Sequence, residues 1–102
     1  MREPVVIKLN HTIIERIKPY GSDANLYPPE DKFALGFFQR IIEEKEYSEK
    51  DWETIKNILR AIATGEFETP EIDKEERRAI REKAFDDIIW LVQHSNDFSR
   101  TE

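Results

Sequence analysis

Any chemistry in this chain would have to rest on carboxylates. Cysteine is absent, which removes a thiolate zinc site, a disulfide framework and a cysteine nucleophile together. The two histidines, His11 and His94, have no short helical spacing between them and read as surface or helix-end residues. Ser48 is better explained as a helix cap than as a nucleophile, and there is no Gly-rich phosphate loop or nucleophile elbow. What remains are acids, notably Glu43 with Glu46 and Asp86 with Asp87. A magnesium site needs several oxygen ligands converging, so these four residues would have to meet from distant segments. On this reading no catalytic residue, metal ligand or cofactor is assigned.

The acids have a second use, as a contact surface. A formal net charge of −6 argues against direct binding of nucleic acid, which needs clustered Lys and Arg. The one basic run, Arg77-Arg78, Arg81 and Lys83, is interleaved with Glu75, Glu76 and Glu82 and reads as a solvated helix face. Two acidic clusters stand out. Glu43, Glu44, Glu46, Glu49, Asp51 and Glu53 form one, and Glu66, Glu68, Glu71, Asp73, Glu75 and Glu76 the other. If both face one way they form a negative strip able to occupy a basic groove on a partner, as DNA-mimicking inhibitors do. Trp90 falls on a polar helix face, and Tyr20 and Tyr27 lie in a loop; with Glu43, Glu44, Glu46, Glu49 and Glu53 they make the expected partner-binding surface. The alternative for Trp90 is packing under the N-terminal segment or that loop, and the alternative for the loop, with its apolar Tyr20, Leu26 and Tyr27, is packing onto the domain.

The elements that must position these residues follow from spacing. At 102 residues, with 38% apolar and 37% charged residues, the chain has the length and material for one domain with one modest core. We expect an all-α domain of three main helices, divided as an N-terminal segment and loop (1–28), a helical core (29–94) and a frayed tail (95–102). Val5 to Leu9 reads as a short strand, followed by a helix from Thr12 to Lys18 ended by Pro19; a continuous helix from Pro4 is the other reading. A lone strand would need a partner strand, for which a second copy is one source. The first long helix begins near Pro29 or Glu30 and carries Phe33, Phe37, Ile41 and Ala34, Phe38, Ile42 in adjacent rows. Gly36, off that stripe, marks either a close helix contact or a tolerated surface glycine.

At the corner, Ser48 caps the second helix with Asp51 returning the bond, and Tyr47 with Trp52 forms a hydrophobic staple. That helix runs to Ala63 and stops at Thr64-Gly65. The third starts at Thr69-Pro70 or at Asp73 and continues to Gln93 or His94, with Ile80, Ala84, Phe85, Ile88, Ile89, Leu91 and Val92 expected on one broad core face.

Two resemblances accompany this reading. Glu43 and Glu46 match the E-x-x-E segment of all-α nucleotide pyrophosphatases of the MazG type, which hold magnesium with acids on neighbouring helices. The run Phe85 to Trp90 resembles their second, E-x-x-D segment, but Lys83 and Ala84 stand where the paired Glu is required. The corner is also similar to a two-helix unit with an S-x-K-x-W turn found in phage and plasmid DNA-metabolism proteins, over less than a third of the chain. The expected function is thus a small acidic protein-protein interaction or inhibitor protein, its partner a protein that itself binds nucleic acid; the alternative is a divergent pyrophosphatase. A homodimer is a separate expectation, from the apolar first segment and the wide Phe33 to Ile42 stripe. The five-residue apolar start, broken by Lys8, is too short for a signal core or a membrane span, so we expect a soluble, cytoplasmic protein.

Overall fold

A computed structural model of the chain describes residues 6–23, 26–28, 33–67 and 72–94. Among these, the order is strand β1 (Val6–Lys8), helix α1 (His11–Ile17), a 3-10 turn (Lys18–Gly21), helix α2 (Phe33–Glu44), strand β2 (Glu46–Ser48), helix α3 (Glu49–Ala63) and helix α4 (Lys74–His94). The fold is all-α, with α3 lying along α4 and the N-terminal elements packed over α2. The molecule measures 47 × 25 × 23 Å. No helix among the described residues is long and apolar enough to cross a membrane.

Of the two readings of the first segment, the strand is the one formed. Its partner is the corner of the same chain: β1 runs antiparallel to β2, with Val6 opposite Ser48, Ile7 opposite Tyr47 and Lys8 opposite Glu46. The need for strand pairing therefore supplies no argument for a second copy. Lys45 makes the ribbon possible by leaving α2 in the left-handed region at φ 59°, and its carbonyl accepts from the Leu9 amide at 2.9 Å. For a residue with a Cβ that backbone costs about 1 kcal/mol.

Helix α1 begins at a cap, since the Asn10 side chain accepts from the Ile13 amide at 2.9 Å. It buries Ile13 and Ile17, and Pro19 then opens the 3-10 turn. This turn lies close on α2. A Cβ added to Gly21 would come within 2.9 Å of Ile42 Cδ1 and 3.3 Å of the Gln39 amide nitrogen, so glycine lets the two backbones approach.

Helix α2 buries Ala34, Phe37, Phe38 and Ile41, while Phe33 stacks on Phe37 and stays 68% exposed. The expected start at Pro29 or Glu30 lies outside the described residues. Gly36 is the surface glycine of the two readings: nothing lies within 4 Å of the Cβ it lacks. Gly36→Ala is therefore expected to stabilise the fold by about 0.5–1 kcal/mol, seen as a higher midpoint in a thermal melt.

The corner has the expected capping box, with the Asp51 amide donating to Ser48 Oγ and the Ser48 amide to Asp51 Oδ2, each at 3.1 Å. Tyr47 and Trp52 are buried with ring centroids 6.1 Å apart, as a staple requires. At the other end of α3, Gly65 takes φ 83° while its amide donates to Ile62 and that of Glu66 to Ala61. This is the paired-bond glycine stop of a helix. Phe67 then meets Tyr27 edge-on at 5.7 Å. Asp73 begins α4 by accepting from the Glu75 amide.

Candidate interaction surface and the polar cluster behind it

Helix α4 presents two opposite faces, and neither is the one that apolar residues alone suggest. The buried row is Ala84, Asp87 and Leu91, flanked by the partly buried Ile80, Ile88 and Trp90. Phe85, Ile89 and Val92, expected in the core, are 60%, 43% and 47% exposed. They point roughly 140–200° away from Asp87 at about 100° per residue. An aspartate in the buried row turns the helix relative to a purely hydrophobic reading.

Asp87 is 1% exposed and is held from three directions. Tyr20 donates its hydroxyl to Oδ2, Lys83 Nζ lies 2.7 Å from the same oxygen, and Arg16 Nη1 lies 3.2 Å from Oδ1. A buried carboxylate is tolerated only when paired and hydrogen-bonded in this way. Burial, and then the hydrogen bond to Asp87, push the Tyr20 phenol far above its usual range, which keeps it a donor. Tyr27 supports it by donating to the Tyr20 carbonyl at 2.8 Å.

Several expected contact residues are thereby accounted for inside the fold. Tyr20 and Tyr27, at 2% and 4% exposure, are core residues and offer no surface. Trp90 is partly buried and packs under the N-terminal segment: the Arg16 guanidinium lies 4.5 Å from its ring centroid, and the His94 ring stacks parallel to it at 4.2 Å. Of the two roles open to the loop, packing onto the domain and presenting a contact surface, its tyrosines take the first. The Asp87 cluster itself leaves no trace in sequence, since Arg16 and Tyr20 are 71 and 67 residues away from it.

The acids of the corner remain outside. Glu43, Glu44, Glu49 and Glu53 are exposed and Glu46 partly so. Arg40 bonds both Glu44 at 3.2 Å and Asp51 at 3.0 Å, Lys56 meets Glu53, and Lys8 approaches Glu46 at 3.9 Å. Burial raises the Asp51 carboxyl, but the Ser48 amide and Arg40 outweigh it and hold Asp51 below the usual carboxylate range. The two acidic clusters sit at opposite ends of α3, separated by about 21 Å of helix. Glu68 and Glu71 of the second lie outside the described residues.

The four carboxylates of the pyrophosphatase likeness are not brought together as a ligand set. Glu43 is on α2 and Glu46 on β2, across the left-handed Lys45, so they share no helix face. Asp87 has its oxygens occupied by Arg16, Lys83 and Tyr20. Among the described residues no three His, Asp or Glu side chains converge as metal ligands.

What α4 leaves in solvent is an ordered row. Arg78, Glu82, Phe85, Ile89 and Val92 follow one another at spacings of four, three, four and three. Arg78 and Glu82 pair at 3.2 Å at its start. Beside Phe85, Ala63, Arg81, Glu82 and Asp86 line a shallow recess of about 450 Å³. Alternating four and three is the period of a seam against which a second helix packs. No protein-family model, curated protein or solved structure matches this chain, so the seam, the recess and the Asp87 cluster are themselves the grounds for a functional reading.

Proposed function

We propose that this chain is a small acidic interaction protein whose α4 seam takes up a basic amphipathic helix of a partner protein. The observation that supports the reading is the exposure of Phe85, Ile89 and Val92 in one row. Single apolar residues on a surface are ordinary, but a row repeating at helix-packing period has no folding role in water. An apolar anchor from the partner fills the recess beside Phe85, in the helix-in-groove manner. Locally the acids Glu82 and Asp86 are balanced by Arg78 and Arg81, so it is the net charge of −6 over the chain that favours a partner segment rich in Lys and Arg. Proteins that bind nucleic acid carry such segments, and occupying one makes this chain an inhibitor of that partner.

The test uses two synthetic helices with leucine at four-three spacing, one flanked by lysine and the other by glutamate. The lysine-flanked peptide is expected to shift the amide resonances of Phe85, Ile89 and Val92, and the glutamate-flanked one to leave them unchanged. Phe85→Ser is expected to abolish that binding while changing stability by no more than about 0.5 kcal/mol, since the ring is largely in water. Silence with both peptides would remove the reading. Light scattering at twice 12.2 kDa, reverting in Phe85→Ser, would instead give the seam to a second copy.

A further inference from the structure

On the far side of α4 from the seam, α1, the 3-10 turn and α4 border an open recess of about 500 Å³ lined by His11, Thr12, Glu15, Arg16, Pro19 and Lys83. A second recess of about 200 Å³ adjoins it, sharing Pro19 and Lys83 and adding Tyr20, Leu26 and Ile80, with Asp23 at its polar edge. We propose that the pair binds a free apolar α-amino acid as its zwitterion. This site is independent of the α4 seam.

The argument starts from charge. In the larger recess two cations, Arg16 and Lys83, stand beside two carboxylates, the buried Asp87 that pairs with both and the exposed Glu15, while Asp23 lies at the edge of the smaller recess. The sum within the larger recess is zero, so a phosphate dianion or a polyamine seated there would leave charge uncompensated. A ligand with one carboxylate and one ammonium matches it.

Preorganisation comes next. Among the described residues Arg16 is held by Asp87 through Nη1 and by the Trp90 ring beneath it, which leaves its other guanidinium N–H groups as donors there. Lys83 is held by Asp87 and lies 5.1 Å from the Tyr20 ring centroid, with further N–H donors left over. The ordering cost of a carboxylate clamp is therefore already met in the free protein. Glu15 makes no ion pair among the described residues and stands as the acceptor for an ammonium group. Pro19, Tyr20, Leu26 and Ile80 then receive the side chain in the smaller recess.

The experiment is a heteronuclear NMR titration of the full chain with L-leucine, glycine, N-acetyl-L-leucine and L-leucinamide. L-leucine at millimolar concentration is expected to shift the amides of Thr12, Glu15, Arg16 and Lys83, and to bind about tenfold tighter than either blocked derivative. Glu15→Gln, at an exposed position away from the Asp87 cluster, should melt as the parent does and lose the preference for L-leucine over N-acetyl-L-leucine. Equal affinity for L-leucine and glycine would overturn the side-chain assignment. Equal affinity for either blocked derivative would overturn the zwitterion, and absence of shifts with all four would overturn the site.

Discussion

Asp87→Ala is expected to lower the free energy of unfolding by about 3 kcal/mol, a large share of what a domain of this size possesses. The substitution removes the acceptor shared by Tyr20, Arg16 and Lys83. The two cations are partly exposed, at 37% and 54%, and water takes over their solvation. The Tyr20 hydroxyl has no such recourse, because the residue is 2% exposed, and an orphaned buried donor costs about 1–3 kcal/mol by itself. Loss of the tie between α1 and α4 accounts for the rest. Asp86→Ala is the internal control, since Asp86 is exposed and makes no ion pair among the described residues; its effect should stay within about 0.5 kcal/mol. Urea titration checks both, with a lower midpoint at unchanged slope for Asp87→Ala. Similar midpoints for the two variants would mean that the buried cluster does not hold the fold.

That contrast between adjacent aspartates is the part of the molecule a sequence conceals. Asp86 and Asp87 are chemically identical and neighbours, so only the surrounding segments distinguish them. Local periodicity sees a helix with apolar residues at Ile80, Ala84, Phe85, Ile88, Ile89, Leu91 and Val92, a set too broad to say which side is inward. The side is chosen by Arg16 and Tyr20, whose approach depends on how α1 and the 3-10 turn dock on α2 through Gly21. Trp90, Tyr20 and Tyr27 follow the same docking.

Tyr47→Ala is expected to be at least as costly, about 3–5 kcal/mol, because its side chain is 1% exposed and serves two structures at once. It staples the start of α3 against Trp52, and it is the central residue of β2, opposite Ile7 of β1. Ser48→Ala, which removes only the cap acceptor, should cost about 1 kcal/mol. Chemical denaturation of the two variants side by side measures the difference. If they proved equal, the corner would be a cap without a packing role.

Here the sequence was far more informative. Ser48, Asp51, Tyr47 and Trp52 interact within five residues of one another, and Gly65 ends α3 by its own backbone freedom, so short-range rules suffice. The ribbon did not follow from those rules. Pairing of residues 6–8 with 46–48 spans about forty positions, and three residues per strand are too few to announce a register.

The ribbon also bears on the expected order of folding. Ser48 is both the last residue of β2 and the cap of α3, so α3 can nucleate from local contacts before the N-terminus arrives. Closing the excursion back to Val6 carries a loop entropy that grows only logarithmically with its length, and antiparallel pairing is then added to a helix start already in place. On this argument the first strand is expected to close last, as a clasp on a preformed corner, and faster exchange of its amides than of those in α3 would report that opening separately from the melting of the helices.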